Sequence, residues 1–241
     1  MKPTLVLLHG WGAHNKVWDG LAARLSADRA VIAPDFPGQG ATPRSIERTV
    51  DQLAAAAPAQ CMVAGWSLGG QLALVWAHRH PQQVTRLMLI ATTPRFVGTT
   101  DWPQGMAPEV FGEFSAALAR DAATTLRRFL LLQTQGDAQA FPVARQLEAA
   151  LALQPRPCNN VLVETLRWLR DMDLRATLPE IAQPTLVMHG DRDRIAPLIA
   201  GEYLAEHLPH ARLEVLAGAA HAPFMSEPDA AYRLMADFCN E

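Results

Sequence analysis

The chain has 241 residues, about one and a half typical domains, which suits a single α/β domain carrying an insertion. Its 49% hydrophobic and 19% charged content excludes a disordered chain, and 21 basic against 24 acidic residues is too balanced for binding along a nucleic-acid backbone. Cys61, Cys158 and Cys239 share no disulfide or metal-ligand spacing, and the first apolar run, residues 5–8, is too short for an export signal or a membrane span, so a cytoplasmic protein with no metal, no cofactor, no nucleic acid and no membrane contact is expected.

In chain order, an apolar run at 4–8 predicts a strand leading into His9-Gly10-Trp11-Gly12. A helix at 17–25, a strand at 29–33, a helix at 46–57, a strand at 60–64, a helix at 68–78 and a strand at 86–91 follow. Strands at 185–189 and 212–216 and helices at 198–208 and 229–238 resume the alternation, which is that of a mostly parallel, doubly wound sheet. Between 95 and 177 the β-branched runs stop and apolar residues recur at helical spacing, as in Phe111, Phe114 and Leu118 and in Leu162, Leu166 and Leu169. The expected organisation is therefore a core of 1–94 and 178–241 with a helical cap, 95–177, over the carboxyl edge of the sheet.

Gly65-Trp66-Ser67-Leu68-Gly69 lies between a strand and a helix, the context of a nucleophile elbow. Glycines two residues either side of the serine permit the sharp turn that exposes its hydroxyl at a helix N-terminus; the plainer reading is a serine N-cap. A serine hydroxyl needs a base to take its proton and a carboxylate to orient that base, and in this arrangement acid then base follow on later loops. Asp191 and Asp193 compete after the strand at 185–189; Asp191 directly follows Gly190 and suits a backbone hydrogen bond, whereas Asp193 has the reach to meet a histidine. Of eight histidines, His221 alone follows the acid on a small-residue loop at the carboxyl edge. Two backbone donors for a developing oxyanion are expected from Leu68, which follows the serine, and from Trp11 in the first loop.

With these motifs in place the chain resembles the α/β-hydrolase superfamily. Within it, the chain is similar to the family of esterases acting on pimeloyl-[acyl-carrier protein] methyl ester in biotin synthesis. The resemblance runs nearly end to end, through Leu-Leu-His-Gly-Trp-Gly at 7–12, Gly-Trp-Ser-Leu-Gly-Gly at 65–70, Trp102-Pro103, Phe-Leu-Leu-Leu-Gln-Thr-Gln-Gly at 129–136 and Ala-Ala-His-Ala-Pro-Phe at 219–224. It implies an α/β-hydrolase fold, a serine carboxylesterase, and Ser67, Asp193 and His221 as the triad. It further implies Trp11, Leu68, Phe129, Leu130, Leu131, Leu132, Gln133 and His221 at the acyl site. Members usually begin with strands that precede the His-Gly loop, so N-terminal edge strands shortened or missing are expected here. The family's cap presents arginines to an acyl carrier protein, and Arg127, Arg128 and Arg145 stand in the corresponding segment. Residues 120–170 hold seven arginines against four acids, a balance of +3 beside −6 elsewhere, which would steer an acidic partner to the cleft. Other readings are a broad short-chain esterase on small ester substrates, a serine C–C hydrolase, and a non-catalytic binder on the same scaffold.

Overall fold

The computed structural model describes residues 2–36 and 45–241. Strands β1 (Thr4–Leu8), β2 (Val31–Ile32), β3 (Cys61–Trp66), β4 (Val84–Ile90), β5 (Thr185–Gly190) and β6 (Ala211–Leu216) form one sheet in the order β2-β1-β3-β4-β5-β6, and every neighbouring pair is parallel. Helices α1 (Asp19–Leu25), α2 (Ile46–Ala56), α3 (Leu68–Arg79), α8 (Leu198–His207) and α10 (Pro228–Phe238) flank it, and the four-residue α9 (Pro223–Ser226) precedes α10.

The central strands carry no polar alternation because both their faces are buried. Val6, Leu8, Val63, Leu87, Leu89 and Val187 share one core with Val50 and Leu53 of α2, Leu72 and Trp76 of α3, and Leu204 of α8. Leu5, Leu7, Met62, Met88, Ile90, Leu186 and Met188 share the other with Leu21 and Leu25 of α1 and Met235 and Phe238 of α10.

The expected elements match to within two residues at each end, and two of the differences have a physical reason in the structure. The strand at 29–33 shrinks to the two-residue edge strand β2, because Pro34 has no amide to offer the ladder and the buried Arg29 guanidinium instead holds the Cys239 carbonyl (3.3 Å) and Asn240 Oδ1 (3.0 Å). The helix at 17–25 opens as a 3₁₀ turn, Asn15–Trp18, whose Asn15 is tied to Asp35 Oδ1 (2.7 Å) and the Ala33 carbonyl (3.0 Å), so α1 starts only at Asp19.

Between β4 and β5 lie α4 (Pro108–Arg120), α5 (Ala122–Gln133), α6 (Ala140–Leu151) and α7 (Asn159–Asp171), with α4 packed on α5 and α7, and α5 on α6. The two ends of this excursion are buckled together: Arg95 and Asp173 form an isolated antiparallel bridge, Trp102 donates its indole N–H to the Arg95 carbonyl (2.9 Å), and Arg175 pairs with both Asp101 and Asp173. The Arg175 guanidinium, followed by that of Arg95, holds the Asp173 carboxyl far below the usual carboxylate range.

His9, at the end of β1, is buried with its ring 3.9 Å from that of Phe36, and burial lowers its pKa from 6.5 to about 4. Burial also lowers that of His189. The unfolded chain takes up protons that the folded chain refuses, so stability is complete above pH 6.5 and declines as the pH falls toward 4. From His9 alone the decline should reach on the order of 3 kcal/mol. Urea midpoints measured between pH 7 and 4.5 should show it, with a shallower slope for His9→Gln; parallel slopes in the two proteins would remove His9 as the cause.

Candidate active site

Ser67 sits between β3 and α3 with φ 56° and ψ −118°, a conformation that side chains rarely adopt. Close backbone approach makes room for it: a Cβ at Gly65 would strike the Gly69 carbonyl, and one at Gly69 would strike the Leu8 and His9 carbonyls at the end of β1. The Ser67 amide donates to the Ile90 carbonyl (2.9 Å) and its own carbonyl accepts from Gly70 (2.9 Å), so the turn is fixed on both sides. The side chain therefore stands at the start of α3 beside the amide of Leu68.

The loops after β5 and β6 bring Asp193 and His221 to the same place. His221 Nε2 lies 3.0 Å from Ser67 Oγ, and His221 Nδ1 lies 2.8 Å from Asp193 Oδ2. A carboxylate only accepts, so Nδ1 carries the proton and Nε2 is left to accept from the serine. Asp193 Oδ1 takes the Ile195 and Ala196 amides (2.8 and 3.0 Å), and the Asp193 and His221 side chains are 0% and 2% exposed, which leaves the pair dry. Behind it, His189 Nε2 donates to the Ala196 carbonyl (2.7 Å) and braces the turn that carries Asp193. Asp191 does not face His221; its Oδ1 accepts the Gly218 amide (2.7 Å) and fastens the β5 loop to the β6 loop.

Beside this trio opens a cavity of about 580 Å³ lined by Trp11, Trp66, Leu126, Phe129, Leu130 and Gln133, with Leu147 and Leu151 of α6 opposite. Trp11 packs edge-on against Phe129 (5.1 Å) and Phe114 (5.5 Å), and its indole donates to the Leu162 carbonyl (3.1 Å), which joins the β1 loop to the helices above. Leu68 borders a smaller adjoining pocket together with Trp11. Of the segment 129–133, Phe129, Leu130 and Gln133 face the cavity; Gln133 lies four residues from Phe129 and three from Leu130, the spacings that share a helix face. Leu131 corrects the sequence expectation: it points from the opposite face of α5 and is 57% exposed, while Leu132 packs toward the core. The Gln133 side-chain carbonyl is buried at the cavity wall without a hydrogen-bond partner among the described residues. Arg127 reaches the cavity rim, Arg128 is exposed on the same helix, and Arg145 lies away from it, 6.0 Å from the Phe141 ring.

Sequence reasoning overlooked Trp66 and the α6 wall. Trp66 lines the cavity and donates its indole N–H to the His221 carbonyl (2.7 Å). Its place inside the elbow motif was the available signal. Leu147 and Leu151 lie four apart on α6, but their spacing says only that they share a helix face, not what that face covers.

A family model described as alpha/beta hydrolase fold matches residues 3–228. The chain belongs to the alpha/beta hydrolase family. A pimeloyl-[acyl-carrier protein] methyl ester esterase of Aromatoleum aromaticum is 43% identical over 236 residues, 95% of this chain and 94% of the relative. One of Nitrosomonas europaea is 39% identical over 94% of this chain and 92% of its own length. The structure of an esterase from Exiguobacterium antarcticum superposes with a TM-score of 0.88 over 99% of this chain and 92% of that one, at 23% identity, a likeness of fold alone. Kinship to named esterases over nearly the whole length makes this hydrolase a carboxylic ester hydrolase. Among the described residues of this hydrolase no helix is long and apolar enough to cross a membrane, and no three His, Cys, Asp or Glu side chains gather as metal ligands would.

The geometry separates the two carboxylates of the β5 loop. Asp193→Asn should lower kcat for an ester by on the order of 10³- to 10⁴-fold, by favouring the wrong imidazole tautomer, and Asp191→Asn should cost far less. Steady-state rates of the two variants decide it, and a larger loss at Asp191 would reverse the assignment.

Proposed function

We propose that this hydrolase cleaves the methyl ester of a pimeloyl chain carried on acyl carrier protein, a step of biotin synthesis, with Ser67 as nucleophile, His221 as base and Asp193 as its orienting acid. The observation that carries the chemistry is the in-line run Ser67 Oγ, His221 Nε2, His221 Nδ1, Asp193 Oδ2, with contacts of 3.0 and 2.8 Å, next to an apolar cavity whose wall includes Trp66, the residue before Ser67. The choice of substrate rests on the names of relatives 39–43% identical over nearly their full length.

In this reading Ser67 Oγ attacks the ester carbonyl as His221 Nε2 takes its proton. The tetrahedral oxyanion meets the backbone amides of Leu68 and Trp11, the first of them also favoured by the positive end of α3. The imidazolium returns its proton to the departing methoxide, releasing methanol and an acyl-enzyme. Water, deprotonated by the same histidine, then frees the pimeloyl carboxylate and restores the serine. Residues 95–177 act as a cap, in which Phe129, Leu130 and Gln133 receive the acyl chain. The unpaired Gln133 carbonyl suits a polar group on the bound substrate. Arg127, Arg128 and Arg145, all exposed on α5 and α6, would meet the acidic carrier, Arg127 nearest the cavity.

Two measurements test the reading. Ser67→Ala should abolish hydrolysis of a p-nitrophenyl ester and labelling by a fluorophosphonate, a loss on the order of 10⁴-fold or more with the fold intact; residual activity above about a tenth of wild type would overturn the role of Ser67. With pimeloyl methyl ester on its carrier protein, reversing Arg127 and Arg128 to Glu should depress kcat/KM most strongly at low salt and spare free esters, which have no carrier to steer. An equal loss on both substrates would assign these arginines to holding the cap together, and no loss on either would leave a general short-chain esterase. Phe129→Ala should weaken medium-chain esters by about 1 to 3 kcal/mol and acetate esters little, as paired kcat/KM values will show.

A further inference from the structure

The loop that delivers His221 reads Ala217-Gly218-Ala219-Ala220-His221-Ala222, with φ of +80° at Gly218; Asp191 accepts its Gly218 amide and the Trp66 indole donates to its His221 carbonyl. A further anchor comes from the turn between α5 and α6. Asp137 in that turn is 8% exposed; its Oδ1 accepts the Gln139 amide (2.7 Å), and its Oδ2 accepts both the Ala220 amide (2.7 Å) and the Ser226 hydroxyl. Ala220 immediately precedes His221, and Ser226 ends α9 just beyond it, so one carboxylate spans the loop from both sides. Three more bonds run alongside: Ala138 N–H to the Gly218 carbonyl (2.8 Å), His221 N–H to the Gln133 carbonyl (3.1 Å), and Arg192 Nη1 to the Gly136 carbonyl (3.2 Å) beside the loop of Asp193.

We propose that Asp137 is a positioning residue for the reaction, holding the His221 loop through the Ala220 amide and the Ser226 hydroxyl so that Nε2 stays aligned on Ser67. The inference rests on the triad reading given above. A carboxylate suits the task because three donors converge on it, two of them on one oxygen, and a neutral amide would turn its own donors toward one side of that cluster. The same helix α5 supplies Phe129, Leu130 and Gln133 to the cavity, so the acyl wall and the loop of the base form one hydrogen-bonded unit.

The test is the series Asp137→Asn and Asp137→Ala beside wild type, assayed with p-nitrophenyl acetate, with rates expressed per active site after exhaustive fluorophosphonate titration. For Asp137→Ala the kcat per titrated site should fall about 10- to 100-fold, the cost of a small misplacement of a reacting group, with KM within about twofold of wild type. Asp137→Asn keeps one acceptor oxygen and should recover part of the loss. The low-field proton resonance of His221 Nδ1–H should broaden in parallel. A purely structural role would reduce the number of titratable sites and leave the rate of each unchanged; a wild-type rate per site with a sharp resonance therefore overturns the inference, and if Asp137→Ala does not fold, the same reading of Asp137→Asn decides. Failure of wild-type protein to be titrated would overturn the triad reading and this inference with it, whereas a titratable wild type with indifferent variants overturns this inference alone.

Discussion

Everything at this site hangs on how closely α3 approaches the ends of β1 and β3. Only with glycine at 65 and 69 can the helix begin so near the sheet that the intervening Ser67 is forced to a positive φ. Such a conformation costs about 1 to 3 kcal/mol, and it persists because the surrounding strands are buried on both faces and the Ser67 backbone is bonded to Ile90 and Gly70. A looser junction would let the serine relax to an ordinary helix cap, its hydroxyl turned back to the amides of its own first turn.

The other groups arrive on loops that are tied to one another rather than to solvent. Asp191 holds the β6 loop from the β5 loop, Trp66 holds the carbonyl of His221, and the α5–α6 turn touches both loops from above. Asp193 is kept in its buried place by two backbone amides in the stead of water, so its attraction to His221 acts in a medium of low polarisability. The sheet supplies position, and the loops supply mutual restraint.

How much of this was legible in the sequence follows from where each constraint lies. The elbow was legible because its requirement is local: a strand, two glycines and a helix start lie within ten residues. Asp193 could be chosen over Asp191 because distance from Gly190 along the chain limits reach, and the structure gives Asp191 the backbone bond that its position suggested. The two-residue β2 was foreshadowed by Pro34, which has no amide to offer the ladder. The inward face of α5 was harder. A run of three leucines after Phe129 leaves helical phase undetermined, and only packing against α6 and Trp11 turns Leu130 inward and Leu131 to solvent. Asp137 carried no signal of its place at the His221 loop, since the Ala220 and Ser226 it holds there lie 83 and 89 residues away in the chain.

The helical segment over the sheet also bears on how such proteins can be recombined. The helical segment between β4 and β5 is buckled at its ends by Arg95, Asp173 and Arg175. The same segment provides the acceptors for the amides of Ala220 and His221 and the donor for the carbonyl of Gly218. A chimaera that grafts a foreign segment between these strands would thus strip hydrogen bonds from the loop after β6, and would have to import an equivalent acidic turn at the same depth to keep that loop in register.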